Sequence, residues 1–246
     1  MQSISKNKIK WIRSLQQKKC RDELGLFVVE GEKMVNEALE SNEYEVVFLC
    51  LTKSSIIISK ISNCEVVLVT EEELKSISSL KNPNKSLVVL KIPVQKVLKT
   101  EFKIALDGIQ DPGNMGTILR LADWFDVKEI ICSKDTVDIY NPKVVQASMG
   151  AIFRINVLYC DLPSYLSKTE EPIFGALLEG ENIYKKTVQP NGILILGNEG
   201  NGISKEVISL VNQPITIPRF GKAESLNVSV AAGILLSEFF RNDSAV

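Results

Sequence analysis

Three short polar segments in the carboxy-terminal half of the chain carry the side chains that could do chemistry. They are Asn114–Arg120, Leu196–Ile203 and Ile217–Ser229. Each follows an apolar stretch that predicts a β-strand and leads into a stretch that predicts a helix. Parallel sheets bind small molecules at the carboxyl ends of their strands. The three segments are therefore expected to form one small-molecule site.

The first segment carries an arginine on a helix predicted to begin at Met115, with Asn114 as its cap. The apolar stripe of this helix consists of Ile118, Leu121, Ala122 and Phe125. Arg120 points away from the stripe, so its guanidinium is available for a phosphate or a carboxylate. A surface ion pair between Arg120 and Asp123 is the structural alternative.

The other two segments add a carboxylate, a hydroxyl and an amide. Glu199 lies in the turn Gly197–Gly202, whose glycines would let the backbone approach a planar base or a ribose closely. A purely structural turn would use the same glycines. Ser225 and Asn227 are predicted at the amino-terminal end of the last helix, where backbone N–H groups suit an anionic or polar ligand. Helix capping alone would also account for Ser225.

Continuous apolar strands that alternate with helices predict an α/β fold with a mostly parallel sheet covered on both faces. In the carboxy-terminal part, strands are predicted at 102–109, 128–133, 155–160, 172–178, 192–197 and 214–218, and helices at 114–125, 142–150, 204–211 and 225–241. In the amino-terminal part, strands are predicted at 45–51, 65–70 and 86–92, and helices at 31–40 and 70–79. The stretch 92–102 is predicted to separate a small α/β domain, residues 1–95, from a larger domain, residues 96–246.

Charge is unevenly distributed along the chain. Residues 1–100 contain 16 Lys and Arg against 12 Asp and Glu, whereas the remainder contains 13 against 18. The basic residues that precede the first acidic residue, Asp22, are Lys6, Lys8, Lys10, Arg13, Lys18, Lys19 and Arg21. Interleaved apolar residues predict an amphipathic helix here, whose charged face could follow a nucleic-acid backbone. A solvated helix face is the alternative.

Composition excludes several classes of chemistry. The chain has no histidine, which excludes Ser-His-Asp triads, Cys-His pairs and imidazole metal ligands. Its five cysteines are scattered, so neither a disulfide framework nor a metal site is expected. Apolar runs are shorter than the roughly 20 residues of a membrane span, and the basic amino terminus lacks the apolar core of a signal peptide. A cytoplasmic protein with no membrane association is expected.

In order and content, the three segments resemble the motifs of the SpoU (TrmH-like) family of SPOUT-class RNA 2′-O-ribose methyltransferases. Asn114-x-Gly-x-x-x-Arg120 is similar to the first motif, Leu196-Gly-Asn-Glu-Gly-x-Gly-Ile203 to the second, and Ile217-Pro with Ser225-Leu-Asn-Val-Ser229 to the third. The resemblance extends over about residues 104 to 240. More loosely, Lys18–Arg21 and Phe27–Gly31 resemble the family's accessory RNA-recognition domain, which is related to a ribosomal-protein fold.

The resemblance implies a trefoil-knotted catalytic domain that binds S-adenosylmethionine and forms a homodimer. The implied cofactor contacts, mainly through backbone, are Leu177, Leu196, Gly197, Ile217 and Leu226. The implied catalytic residues are Arg120, Asn114, Glu199, Ser225 and Asn227. The substrate would be a ribose 2′-hydroxyl of ribosomal or transfer RNA, and the sequence does not choose between them.

Arg120 is expected to anchor a phosphate and stabilise the developing oxyanion, because a guanidinium remains protonated at neutral pH. The acceptor of the hydroxyl proton stays open. One alternative function is a nicotinamide-dependent oxidoreductase with Gly197–Gly202 as its phosphate loop, although the pattern is not G-x-G-x-x-G. The other is a non-catalytic RNA-binding protein on a SPOUT scaffold, against which the intact set of polar site residues counts.

Overall fold

The structure, a computed structural model, describes residues 4–58 and 64–241. Within these ranges the helices are α1 (Lys6–Ser14), α2 (Lys18–Leu24), α3 (Glu32–Glu40), α4 (Glu71–Ile77), α5 (Pro112–Trp124), α6 (Pro142–Ser148), α7 (Leu162–Leu166), α8 (Lys205–Ile208) and α9 (Val228–Phe239). The strands are β1 (Leu26–Glu30), β2 (Val46–Leu51), β3 (Glu65–Leu68), β4 (Ser86–Lys91), β5 (Phe102–Asp107), β6 (Glu129–Ser133), β7 (Asn156–Cys160), β8 (Ile173–Asn182), β9 (Gly192–Gly197) and β10 (Gln213–Thr216). Short 3-10 helices cover Ala151–Phe153 and Ile183–Lys185. No helix in the described ranges is both long enough and apolar enough to cross a lipid bilayer.

The described residues form two compact units. The first contains the residues up to Val94 together with Asp138–Phe153, and the second contains Gln95–Val137 and the residues from Arg154 onward. A single boundary near residue 95 does not describe this grouping, because the segment that carries α6 returns to the first unit. There α6 packs on β1.

The second unit is built on a six-stranded sheet in the order β10-β8-β9-β5-β6-β7. Every neighbouring pair in this sheet is parallel, so the predicted mostly parallel α/β fold is confirmed. All residues of β5 and β6 are buried, which is why their sequences lack a polar alternation. One face of the apolar last helix is buried in this core: the ring of Phe239 lies 5.0 Å from that of Phe102 and 4.9 Å from that of Phe174.

The first unit contains a four-stranded mixed sheet in the order β1-β4-β2-β3. Strand β4 is antiparallel to both β1 and β2, and β3 is parallel to β2. The sequence analysis did not predict β1. The helix predicted at 70–79 begins after Thr70, which forms a capping box: the Glu73 N–H donates to Thr70 Oγ1 at 3.2 Å, and the Thr70 N–H donates to Glu73 Oε2 at 2.9 Å.

Buried polar contacts hold the segment 138–153 in the first unit. Asp138 Oδ2 accepts hydrogen bonds from Nε and Nη2 of Arg21 at 3.0 and 2.6 Å. The hydroxyl of Tyr44 donates to the carbonyl oxygen of Ile152 at 3.0 Å. Burial raises the pKa of Tyr44 to about 12, so this hydroxyl remains a donor at neutral pH. The segment is therefore part of the first unit's core structure.

Candidate active site

The amino terminus of α5 places Asn114 where its side chain can reach other loops. Asp111 caps the helix, with Oδ1 accepting from the Asn114 N–H at 2.8 Å, and Pro112 occupies the first helical position. The expectation that Asn114 caps a helix starting at Met115 is therefore wrong. Because Asp111 already satisfies the backbone, the amide of Asn114 is left for other partners, and the residue is only 8% exposed.

The Asn114 side chain joins the three polar segments. Its Nδ2 donates to Oε1 of Glu199 at 2.9 Å, and its Oδ1 accepts from Nδ2 of Asn227 at 2.9 Å. One amide therefore links the first segment to the second through a carboxylate and to the third through a second amide. The predicted convergence of the three segments is confirmed by these bonds.

Glu199 is held as a carboxylate. Its oxygens also accept weaker hydrogen bonds from the backbone N–H groups of Gln110 at 3.4 Å and Asp111 at 3.3 Å. Partial burial acts to raise the pKa of Glu199, but hydrogen bonds from the Asn114 side chain and from backbone N–H groups outweigh it and lower the pKa from its ordinary value of 4.5. Glu199 therefore orients Asn114 and is a weak proton acceptor.

Two further contacts, which the sequence analysis missed, fix the second segment against β5. Asp107 Oδ2 accepts from the Ser204 N–H at 2.6 Å, and Asn198 Nδ2 donates to the Gly108 carbonyl at 2.6 Å. Asp107 is buried at the last position of β5, and a carboxylate directly after an apolar strand was the signal available in the sequence. These bonds fix the residues on either side of Glu199 and thereby restrict its position.

The third segment enters α9 three residues later than expected, at Val228. Asn227 is the N-cap, and its Oδ1 accepts from the N–H groups of Ser229 at 2.9 Å and Val230 at 3.3 Å. Ser225 lies before the cap, exposed and outside the helix, so the expectation that α9 begins at Ser225 is wrong. Since Asn227 does the capping, the hydroxyl of Ser225 is not required for it.

Arg120 lies on the exposed face of α5. In residues 4–58 and 64–241 its guanidinium has no hydrogen-bond or ion-pair partner. The alternative pairing with Asp123 does not occur, because Asp123 accepts three hydrogen bonds from Arg154 at 2.8 to 3.0 Å. Arg120 is thus a cation available to an external ligand.

The carboxyl ends of β8 and β9 are not paired with each other, which leaves backbone groups available to a ligand. Strand β9 pairs with β5 along its whole length, from Gly192 to Gly197, but pairs with β8 only up to Ile195, opposite Gly175. The two strands diverge beyond that pair, so the backbone of Leu177 and that of Leu196 are not paired with each other. Diverging carboxyl ends are where parallel sheets admit ligands.

The remaining residues predicted to contact a cofactor lie around the same edge of the sheet. Ile217 follows β10 without regular structure, and Leu226 is 50% exposed just before α9. A Cβ at Gly197 would lie 2.3 Å from the carbonyl carbon of Gly202, so only glycine fits where the turn closes on β9. Backbone groups without sheet partners and an apolar lining fit a nucleoside-type cofactor such as S-adenosylmethionine. The described residues contain no cluster of side chains that could hold a metal ion.

The basic start of the chain forms two helices, α1 and α2, and its charges differ in their surroundings. Lys6, Lys10 and Arg13 share one face of α1 at i, i+4 and i+7 spacing, are exposed, and have no ion-pair partner among the described residues. Lys8 differs, since its Nζ bonds Glu65 at 2.8 Å. Three candidates for RNA contact on α1 therefore remain unpaired.

The basic residues of α2 are engaged within the unit. Lys18 and Lys19 form exposed i,i+4 pairs with Asp22 and Glu23. Arg21 is only 2% exposed and donates to Asp138 and to two backbone carbonyls of the α1–α2 turn. Its expected place in an RNA-contact surface is therefore corrected: the guanidinium is buried and stabilises the fold.

Two solved structures resemble the chain along nearly its full length. A TrmH-family protein from Porphyromonas gingivalis is 37% identical, covers 98% of this chain and 100% of its own, and superposes with a TM-score of 0.91. An AdoMet-bound rRNA methyltransferase from Sinorhizobium meliloti is 27% identical, with a TM-score of 0.86, and covers 100% of this chain and 98% of its own. The fold and the three-loop site thus define a SPOUT-class α/β methyltransferase.

Matches to family models assign the chain to a family within this class. Residues 101–237 match the SpoU rRNA Methylase family, and residues 6–87 match the MRM3-like substrate binding domain. The chain belongs to the SpoU rRNA methylase family. It is similar, at 29% identity over 96% of its length and 97% of the relative's, to the 23S rRNA (guanosine(2553)-2′-O)-methyltransferase RlmP of Bacillus subtilis.

Membership of this family confirms the expected activity. The protein is an S-adenosylmethionine-dependent methyltransferase that acts on a ribose 2′-hydroxyl of ribosomal or transfer RNA. The nicotinamide alternative has no support in the site. The interlocked polar cluster of Asn114, Glu199 and Asn227 lies where the three polar segments meet.

Proposed function

We propose that this enzyme methylates a ribose 2′-hydroxyl in large-subunit ribosomal RNA, with Arg120 as the group that meets the substrate. The observation that carries the proposal is the contrast on α5 between Asn114, whose amide nitrogen and oxygen each have a side-chain partner, and Arg120, whose guanidinium has none among the described residues. The choice of ribosomal over transfer RNA rests on a relative that this chain matches along 97% of its length, a 23S rRNA methyltransferase.

S-adenosylmethionine, when bound, supplies a methyl group on a positively charged sulfonium. The residues that would hold it are Leu177, Leu196, Gly197, Ile217 and Leu226, which surround the gap between β8 and β9. Their backbone groups can bond the polar parts of the cofactor, and their side chains can cover its apolar parts. Water is thereby kept from the reacting atoms.

Arg120 binds the phosphate next to the target ribose and stabilises negative charge that develops on the 2′-oxygen. A guanidinium offers two parallel N–H donors to a phosphate and stays protonated at neutral pH, which suits anchoring better than proton removal. In enzymes that stabilise an oxyanion, one oriented donor lowers the activation free energy by about 2.7 to 4 kcal/mol. Ser225, exposed and not needed as a cap, is a second group placed to bond the substrate.

Asn114, Glu199 and Asn227 act as positioning residues. Their side chains bond one another, so a substrate would have to displace an existing bond to use them directly. Fixing three loops in one arrangement prepares the geometry before RNA arrives. In the first unit, Lys6, Lys10 and Arg13 contact RNA phosphates through their shared face on α1.

A trefoil knot and a homodimer complete the proposal. The knot is proposed from the match of residues 101–237 to the SpoU rRNA Methylase family. Exposed apolar side chains on α5 and α9 support a dimer, since Trp124 is 83% exposed and Val230 is 51% exposed. Sedimentation velocity tests the proposed dimer, and a monomer at micromolar protein concentration would contradict it. A cytoplasmic location stays a prediction.

The function is tested by methyl transfer from labelled S-adenosylmethionine to unmodified 23S RNA, 16S RNA and a set of individual transfer RNAs, each transcribed in vitro. We expect label in 23S RNA alone, as one ribose-methylated nucleotide found by nuclease digestion and mass spectrometry. Label in transfer RNA alone would refute the choice of ribosomal RNA. If the enzyme binds S-adenosylmethionine but labels no RNA, the non-catalytic alternative is restored.

A further inference from the structure

The loop between β10 and α9 exposes a large aromatic side chain. Phe220 is 95% exposed, and every residue from Arg219 to Asn227 is exposed. The loop lies between Ile217, which is proposed to contact the cofactor, and Ser225, which is proposed to contact the substrate. None of the roles assigned above uses Phe220.

The ends of this loop are anchored, so the position of Phe220 is constrained. At its start, Thr216 Oγ1 donates to the carbonyl oxygen of Leu178 at 3.1 Å. At its end, Asn227 caps α9 and bonds Asn114. Within the loop, Nη1 of Arg219 donates to the carbonyl oxygen of Ala223 at 3.2 Å and closes a turn around Phe220. The phenyl ring is therefore presented at the tip of a short closed turn.

The chemical surroundings of the ring match single-stranded RNA. Arg219 precedes Phe220 and Lys222 follows it at two residues, while Glu224 is the loop's one acidic residue. A fully exposed phenyl ring forgoes the favourable burial that such a side chain usually has, and a nucleobase that stacks on it restores that burial. Cations on both sides of an aromatic ring are the pattern of a stacking platform beside a phosphate backbone.

We propose that Phe220 stacks on a nucleobase of the substrate RNA adjacent to the nucleotide that is methylated. This inference rests on the proposed function, and it adds a residue that positions the RNA strand in the site. Arg219 shapes the turn, and Lys222 holds the neighbouring phosphate. Two other occupants would use the same ring, namely a second copy of this chain or the bound cofactor, and the experiment distinguishes them.

The test compares Phe220→Ala, Phe220→Trp and the wild-type enzyme on unmodified 23S RNA transcribed in vitro. Val97→Ala is the matched control, because Val97 is also an apolar residue of the second unit, 70% exposed and outside regular structure. We expect Phe220→Ala to raise the KM for RNA about 10-fold or more, with kcat within about two-fold of wild type. Phe220→Trp should retain the wild-type KM, and Val97→Ala should change neither constant.

Three further readouts separate the possible occupants. Calorimetry with S-adenosylmethionine should give the same Kd for Phe220→Ala and wild type, and sedimentation velocity should give the same oligomeric state. A weakened cofactor Kd or an altered oligomeric state would overturn the inference in favour of a cofactor cover or a subunit contact, and an unchanged KM would overturn it outright. Filter binding of the same RNA gives a readout even if wild type transfers no methyl group: equal affinity of Phe220→Ala and wild type would refute stacking, whereas absent transfer refutes the proposed function.

Discussion

Two polar regions of the molecule are built on opposite principles. In the second unit, the Asn114 side chain donates to Glu199 and accepts from Asn227, so three polar side chains are joined by hydrogen bonds. On α1 of the first unit, Lys6 and its face neighbours have no partners within the described residues. The first arrangement gives a fixed geometry, and the second gives charge that remains available to a polyanion. Methyl transfer to one oxygen atom requires a fixed geometry, whereas sequence-independent binding of RNA requires available positive charge.

Each region also contains an exception that sharpens the comparison. Arg120 is unpaired although it lies on the same helix as Asn114, and Arg21 is buried and paired although it belongs to the basic run. Whether a charged side chain has a partner inside the protein therefore distinguishes residues that stabilise the fold from residues available to bind a ligand. Residue type and position in the chain distinguish them less well. Variants of the two kinds should differ accordingly.

The largest effect on stability is expected from Arg21→Ala. The change leaves Asp138 without its buried partner, and it should lower the free energy of unfolding of the first unit by about 3 to 5 kcal/mol. Urea unfolding followed by fluorescence measures this in a Trp124→Phe background, where Trp11 is the one remaining tryptophan and reports on the first unit. Arg13→Ala is the control and should change the value by less than about 0.5 kcal/mol. Equal effects of the two variants would contradict the comparison.

Next in size is the effect of Asn114→Asp, which replaces a donor to Glu199 by a second carboxylate. Loss of the bond and repulsion between the two charges should lower kcat/KM about 10- to 100-fold, equivalent to about 1 to 3 kcal/mol. Because two adjacent carboxylates can share a proton, part of the activity should return as the pH of the assay is lowered. Asn191→Asp, an exposed position of the same unit, serves as the control. A variant with wild-type activity at all pH values would show that the linkage through Asn114 is dispensable.

Removal of the α1 charges should act on RNA binding alone. The triple variant Lys6→Ala, Lys10→Ala, Arg13→Ala should bind 23S RNA about 10-fold more weakly at moderate salt, and the slope of log K against log salt should fall by up to about 0.7 to 0.9 per charge. Filter binding over a salt series gives both quantities. Lys18→Ala with Lys19→Ala, whose charges are paired, should change the slope less. Identical slopes for both variants and wild type would remove α1 from the RNA interface.

The smallest effect is a pH dependence of stability from Glu199. Its pKa is lowered in the folded protein, so its contribution is fully present above the ordinary value of 4.5 and is lost as the pH falls through the folded-state pKa. Wild type should therefore melt above Glu199→Gln by less than about 4 °C at pH 7, and the difference should shrink below pH 4.5. Differential scanning calorimetry checks this. A difference that grows on acidification would mean that the pKa is raised.

Much of the fold could be predicted, because strands buried on both faces have continuous apolar sequences. Ile193–Leu196 is an example, and the three motif segments were found at the ends of such strands. Strand β1 was missed, since Leu26–Glu30 is short and follows directly on a charged helix. The grouping of residues 138–153 with the first unit depends on contacts such as that between Arg21 and Asp138, which lie 117 positions apart and leave no local pattern.

The sequence predicted that the three loops meet better than it predicted the geometry within each loop. Asn114 and Asp111 are both good capping residues, and the sequence alone does not show which of them caps α5. The same ambiguity between Ser225 and Asn227 shifted the predicted start of α9. Asp107 and Asn198 were missed because their partners are backbone groups of other loops, which only the folded chain brings together. Local sequence patterns identified the loops, and tertiary packing determined the contacts within them.

The central claim is that Arg120 is the free group that meets the substrate while its neighbours only hold the site. It is tested most directly by the single-turnover rate of methyl transfer in Arg120→Ala, measured with saturating 23S RNA and S-adenosylmethionine and compared with Arg120→Lys and the exposed control Arg241→Ala. The account predicts a rate about 100- to 1,000-fold below wild type for Arg120→Ala, an intermediate rate for Arg120→Lys, and an unchanged Kd for S-adenosylmethionine in both. A wild-type rate in Arg120→Ala would contradict it.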